Sequence, residues 1–349
     1  MSEKDSGGKE GKHWFARIFK PRLWIILGGG IFLLLLIQIG LKETFFALKS
    51  VKLSHLLISV GLIVIGQQFI PFMKWVIMCR KAKMGLKWER ILFLSSSILL
   101  GGTFTPARTG EFAVALFINE TKGNISSIVL FNRVLESSFT LLMTILIFSL
   151  FFRKFLPSKS WILIVFVVGV ILILYMLVVK ESWGIFILSK GKKILTSLRK
   201  YKLFQIILNL EERIVAEVSL FYTTMKRLFS LRTVLVLFLF TLTSWVIMMG
   251  ANWLLFSSVG SHVPFVMIAG VMVLSAIGSY LSPTPGGIGV GDIPPVYFLF
   301  INGYRENIGA YILLMRAAVY LVAIGWYLFS ATLYRKTLSL KEDPSLKNC

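Results

Sequence analysis

The run Val263–Asp292, VPFVMIAGVMVLSAIGSYLSPTPGGIGVGD, decides how this chain is to be read. Residues 263–281 carry no charge, and as a helix they would reach ~28 Å, close to the ~30 Å of a bilayer's hydrocarbon. Ser282-Pro283-Thr284-Pro285-Gly286-Gly287 then stops the helix, because proline removes a backbone donor and glycine loosens the turn. The chain is apolar again as far as residue 303. A broken helix at membrane depth survives only where protein or a wet cavity satisfies the freed backbone groups. A second region, 91–118, is interrupted in the same way by Gly101-Gly102-Thr103-Phe104-Thr105-Pro106. Both regions are read as re-entrant hairpins.

Around them the sequence holds six uninterrupted apolar spans, at 23–41, 54–79, 126–152, 161–179, 233–257 and 306–334. Apolar residues make up 56% of the 349, and the mean hydropathy is +0.79. A soluble domain averages roughly 45–50% apolar residues. The apolar blocks run continuously rather than alternating, which excludes a β-barrel. The expected fold is therefore an all-α polytopic membrane protein with about six spans and two broken-helix hairpins.

The net charge is +22, from 38 Lys and Arg against 16 Asp and Glu. The bases flank the apolar blocks, so they are assigned to topology and anionic lipid rather than to nucleic acid. Cys79 and Cys349 are too few for a disulfide framework or metal cluster, and His13, His55 and His262 lie in the tail or at block edges. No metal and no cofactor is expected.

The bases also set the orientation. Residues 1–22 carry six Lys and Arg, 80–90 carry five and 180–232 carry eleven, against three each in 42–53 and 153–160. The first three segments and the tail 335–349 are expected in the cytoplasm, and the last two outside. The uncleaved span 23–41 serves as the anchor. The domain reading is a basic head, 1–22, a membrane domain, 23–334, and a cytoplasmic tail, 335–349. Two halves, about 54–179 and 233–334, flank the linker 180–232, which is read either as helices on the inner leaflet or as a connector packed on the bundle. A full crossing by 263–281 would reverse the orientation of the remaining chain, and the basic tail argues against it.

The halves repeat one another. At an offset of 179, Ser96, Ile98, Thr105 and Pro106 meet Ser275, Ile277, Thr284 and Pro285. At an offset of 183, Asn124, Ile125, Leu130 and Arg133 meet Asn307, Ile308, Leu313 and Arg316. Each half thus runs from a broken hairpin through an acid, Glu111 or Asp292, to a long helix with an arginine near its start. With the hairpins entering from opposite sides, this is an inverted-topology repeat, an architecture of transporters.

Ionisable groups inside spans cost about 2.5–3.5 kcal/mol each at the centre on insertion scales. The sequence nonetheless places Lys74, Arg108, Glu111, Arg133, Glu136, Asp292 and Arg316 there. Arg108 with Glu111, and Arg133 with Glu136, have the three-residue spacing of one helical face. Arg316 and Asp292 have no local partner and are expected to meet each other or a charged headgroup. Lys74 is read as snorkelling to the inner surface. Arginine's planar fork suits a lipid phosphate, so Arg108, Glu111, Arg133, Asp292 and Arg316 are the candidate headgroup residues, lining a wet groove. Helix N-termini freed after the turns present N–H groups to anions. Backbone phosphate contacts are accordingly expected at Thr105, Thr284, Gly286, Gly287 and Gly289.

The two stretches Thr105-Pro-Ala-Arg-Thr-Gly-Glu111 and Thr284-Pro-Gly-Gly-Ile-Gly-Val-Gly-Asp292 resemble the paired signatures of the lysylphosphatidylglycerol synthase transmembrane (flippase-like) family, over about residues 20–335. Ala107 stands where that family usually has Gly, and Asp292 where Glu is more usual. The resemblance implies lipid translocation. Some members add a soluble transferase that makes a lysyl-lipid, and others stand alone in polyprenyl-sugar or hopanoid pathways. Here the chain stops fifteen residues after its last span, so lysyl transfer is not implied. The expected function is a lipid flippase in a prokaryotic cytoplasmic membrane, moving a phospholipid or polyprenyl-phosphate-linked lipid. Its expected partners are membrane lipids, with a lipid-synthesis enzyme as a further candidate. The alternatives are a membrane-embedded lipid-modifying transferase, which would need a general base facing a donor loop, and a non-catalytic partner in a lipid pathway.

Overall fold

Every element among the described residues is helical, in keeping with a backbone that must satisfy its own polar groups in lipid. The computed structural model describes residues 21–105, 108–117, 122–151 and 211–342. The expected span 161–179, the outer loop 153–160 and the first part of the linker lie outside them.

The described residues form eleven α-helices in chain order. They are α1 (Pro21–Ile39), α2 (Leu41–Lys49), α3 (Leu53–Lys81), α4 (Trp88–Thr103), α5 (Gly110–Phe117), α6 (Lys122–Phe151), α7 (Glu211–Leu228), α8 (Leu231–Ser258), α9 (Phe265–Leu281), α10 (Ile293–Ile301) and α11 (Ile308–Glu342). Four apolar stretches are long enough to cross a bilayer: Leu53–Lys81, Lys122–Ile147, Leu231–Ser258 and Ile308–Thr337. They coincide with four of the six expected spans. A fifth candidate is the pair α1–α2, bent by 84°. Gly40 makes that bend with φ of 112°, a region in which a side chain would be strained. The fold is all-α and polytopic.

Two compact units share the chain. The first draws on the residues up to Ser59, on Gly101–Gly110 and on Asn252–Tyr320. In it α9 and α10 lie against each other across the Ser282–Gly291 turn, as the expected hairpin requires. The approach is close because glycine permits it: a Cβ on Gly270 would strike the Phe298 ring, and one on Gly278 the backbone of Gly291. The N-terminal part of α11 is fixed by Tyr311, which stacks on Phe256 and donates its hydroxyl to Asn252 Oδ1 at 2.7 Å. Buried hydroxyls need such a partner.

The second unit draws on Val60–Leu100, Glu111–Ala251 and the chain from Leu321. Its core is built from fully buried side chains such as Met78 of α3, Ile128 of α6, Met225 of α7 and Leu237 of α8. The described part of the long linker, α7, packs on α6. Ser127 Oγ donates to the Phe221 carbonyl at 3.0 Å, Thr224 Oγ1 to Asn124 Oδ1 at 2.6 Å, and the Gly123 N–H to Glu217. Over 211–228 the linker is thus a connector packed on the bundle. Helix α3 widens to a π turn over Val64–Phe69, where the Gly66 carbonyl accepts from Ser244 Oγ at 2.6 Å. A Cβ on Gly66 would lie 3.0 Å from Met248 Cγ and 3.3 Å from Ile247 Cγ2, so α8 approaches α3 closely here.

Two arginine–carboxylate pairs at broken helices

Both units hold one buried pair, and each pair has its acid just past a broken helix. In the second unit the acid is Glu111, in the first turn of α5 and 2% exposed. Arg133, on α6, donates from Nε to Glu111 Oε2 and pairs Nη2 with Oε1, a two-point fork. Its remaining nitrogen, Nη1, reaches Glu136 Oε2 at 3.2 Å. Glu136 Oε1 accepts from Asn132 Nδ2 at 2.9 Å and from Lys74 Nζ at 3.3 Å. Two cations and two anions thus form one neutral chain, the arrangement that makes buried charge tolerable. Lys74 is 2% exposed. Its expected snorkelling is overturned, because the Glu136 carboxylate offers the ammonium a partner inside the bundle.

In the first unit the acid is Asp292, at the end of a 3-10 turn and directly before α10. Asp292 Oδ1 accepts from Arg316 Nε at 3.0 Å and from Nη2 at 2.6 Å, while Oδ2 accepts the Gly289 N–H at 3.0 Å. Arg316 Nη1 donates to the Gly286 carbonyl at 2.8 Å, and Nη2 to that of Gly287 at 3.3 Å. Gly286 and Gly287 take φ of 59° and 73°, the left-handed region that turns these carbonyls toward one guanidinium. Of the two alternatives for Arg316 and Asp292, the structure realises their mutual pairing.

The glycine loop carries its own bonds. Thr284 N–H donates to Ser282 Oγ at 3.1 Å, Gly287 N–H to the Thr284 carbonyl at 3.1 Å, and Gly289 N–H to Asp292. The Thr284 hydroxyl donates to the Ile288 carbonyl at 2.8 Å. In this conformation an anion would have to displace those contacts to reach the N–H groups of Thr284, Gly287 and Gly289. Thr105 closes the first turn: its hydroxyl donates to the Gly101 carbonyl at 2.8 Å and accepts the Gly110 N–H at 2.7 Å. Arg108 lies between Thr105 and Gly110 with φ of 58°, outside α5, so its three-residue spacing to Glu111 is not that of a helical face.

Three further residues hold the first-unit pair. A Cβ on Gly28, in α1, would lie 2.9 Å from Thr284 Cβ, so this helix meets the loop backbone to backbone. Gly289 in turn leaves no room beyond the Gly28 carbonyl and the Phe32 nitrogen. Tyr320, one turn after Arg316, sets its hydroxyl against Gly286, with its ring 5.3 Å from that of Phe104. The run Gly28-Gly29-Gly30 inside a span is the available signal for the first of these, since small residues let backbones approach. Tyr320 sits at i+4 from Arg316, a spacing that marks it only once Arg316 is placed.

No curated protein and no solved structure matches the chain. The family model described as "Lysylphosphatidylglycerol synthase TM region" matches residues 23–326, a stretch that includes all four residues of the two pairs. This chain, with its broken helices each delivering one acid to one arginine, belongs to the lysylphosphatidylglycerol synthase TM region family.

Proposed function

We propose that the protein translocates an anionic or zwitterionic lipid, a phospholipid or a polyprenyl-phosphate-linked lipid, between the leaflets of the cytoplasmic membrane. One observation carries this reading: in both pairs the arginine is the member that keeps some exposure. The Arg133 and Arg316 side chains are each 12% accessible, while those of Glu111 and Asp292 are each 3%. An approaching phosphate therefore meets the guanidinium before the acid, and a fork already held flat by a carboxylate is oriented for a second planar acceptor. While no anion is bound, the carboxylate keeps the buried cation neutralised, which a bilayer interior demands. Family membership supports a role with membrane lipids, and the sequence repeat with its charge asymmetry supports an inverted repeat with both termini in the cytoplasm.

The test is a headgroup-resolved leaflet assay on purified protein in liposomes, reading the initial rate at matched protein density. Arg133→Ala and Arg316→Ala should each slow translocation by at least roughly tenfold, because losing a charge-assisted donor to phosphate forfeits ~1.5–3 kcal/mol. Parental rates in both variants would remove the headgroup role and favour a non-catalytic partner of a lipid-synthesis enzyme.

A further inference from the structure

Helix α2 does not take part in either pair, and its surface has a composition of its own. It leaves α1 at 84°, so with α1 crossing the hydrocarbon it runs close to the membrane plane. Its inner side is fixed to the protein: Thr44 and Ala47 are buried, and Thr44 fills the space over Gly309, in the first turn of α11. On the other side Phe45 is 62% exposed and Phe46 76% exposed. At 100° per residue, Lys42 and Lys49 fall between these two rings on the same outward arc. Both lysines are exposed, as is Lys52 just beyond the helix. The apolar surface continues into the start of α3, where Leu53, Leu57 and Ile58 are 64%, 61% and 54% exposed.

Two bare phenylalanines interleaved with lysines would be a liability in water and a fit in the interface, where rings enter the acyl boundary and ammonium groups reach phosphates. We infer that α2 is an interfacial helix that binds an anionic phospholipid surface, with Phe45 and Phe46 in the acyl boundary and Lys42, Lys49 and Lys52 on the phosphates. The occupant is lipid because the apolar patch is continuous with a spanning helix, and it is anionic because Lys42, Lys49 and Lys52 outnumber Glu43 among the exposed charges of this stretch. Glu43 is exposed at one edge of that arc, where it lines a cavity of about 340 Å³ with Arg305, Glu306 and Asn307. The inference needs only that the chain spans a membrane, and translocation can fail without touching it.

The experiment places a nitroxide on Phe46→Cys in a Cys79→Ala, Cys349→Ser background. The full chain goes into nanodiscs of phosphatidylcholine with or without phosphatidylglycerol. The label should collide more with oxygen than with a water-soluble nickel chelate, at the depth of the outer acyl chains. Adding phosphatidylglycerol should slow its motion by at least about twofold, and Lys42→Gln, Lys49→Gln and Lys52→Gln together should abolish that response. Preferential nickel collision would place α2 in water, and weak collision with both reagents would place it against protein; either result would overturn the inference. A response to phosphatidylglycerol that survives the triple change would overturn its electrostatic half. A matched label at Leu57→Cys, on the adjoining spanning helix, reports whether each variant is inserted and folded.

Discussion

Arg316 holds Asp292 through a single carboxylate oxygen, Oδ1, leaving Oδ2 to accept the Gly289 N–H. The acid is thereby shared between a helix-borne cation and the loop that precedes it, and the same guanidinium returns to the loop through two carbonyls. Loop and helix are tied by one side chain at four points. A point charge cannot do this. Arg316→Lys should therefore behave much like Arg316→Ala in the liposome assay, losing roughly tenfold in rate, since lysine lacks the planar fork that meets separate acceptors at once.

Removing one charge of a pair should hurt more than removing both. Asp292→Asn keeps an acceptor for the Gly289 N–H but leaves the guanidinium uncompensated, a loss of about 3–5 kcal/mol for a buried pair. Asp292→Asn combined with Arg316→Gln removes that charge, and its thermal unfolding in detergent should lie closer to the parent than the single variant's does. A double variant less stable than the single would show that the pair's worth is geometric rather than electrostatic. Lipid movement should be lost in both.

Gly28 and Gly29 give a matched pair of probes on α1. A Cβ at Gly28 meets Thr284, whereas one at Gly29 meets nothing within 4 Å. Gly28→Ala should cost about 1–3 kcal/mol through overpacking against the loop. Gly29→Ala should be neutral or slightly stabilising by helix propensity. Equal thermal stability of the two variants would contradict the close approach of α1 to the glycine loop.

In the four-charge chain of the second unit, Lys74→Met should destabilise, because it strips Glu136 of one of its two cations. Lys74→Met with Glu136→Gln leaves Arg133 and Glu111 as a self-neutral pair and should recover most of the loss. A double-mutant cycle on thermal stability should give a coupling of about 0.5–3 kcal/mol. Additivity would mean that the 3.3 Å contact does not bind the two helices.

The spans are legible in the sequence because length and continuous apolarity suffice to specify them: 54–79, 126–152, 233–257 and 306–334 each coincide with a helix of crossing length. The second break is legible for an equally local reason, since the prolines and glycines of Ser282–Gly287 cannot continue a helix, whereas at the first α4 runs through Gly101 and Gly102 and ends only at Thr103. The pairings are less so. Glu111 meets Arg133 across 22 residues and Asp292 meets Arg316 across 24, because the segment after each break turns the acid toward the next long helix. Periodicity sees only three- and four-residue neighbours, which is why it recovers Arg133 with Glu136 and offers no partner for Arg316 or Asp292. Lys74 is misassigned for the same reason: its partner lies 62 residues away. The bend at Gly40 has no more signal than one glycine at the end of an apolar run.

The π turn in α3 fixes a count as well as a shape. Widening a turn over Val64–Phe69 lets the helix hold one residue more than an α-helix of the same rise, which offsets the phase of everything after it. Were that turn to tighten to plain α-helix with every residue kept, Ile70–Lys81 would rotate by about 100° relative to Leu53–Ile63. Lys74 would then swing off the Glu136 side, and Trp75 and Met78 would leave the core with it. The position of a buried ammonium in this protein is thus set by arithmetic five to ten residues upstream, in a segment that carries no charge.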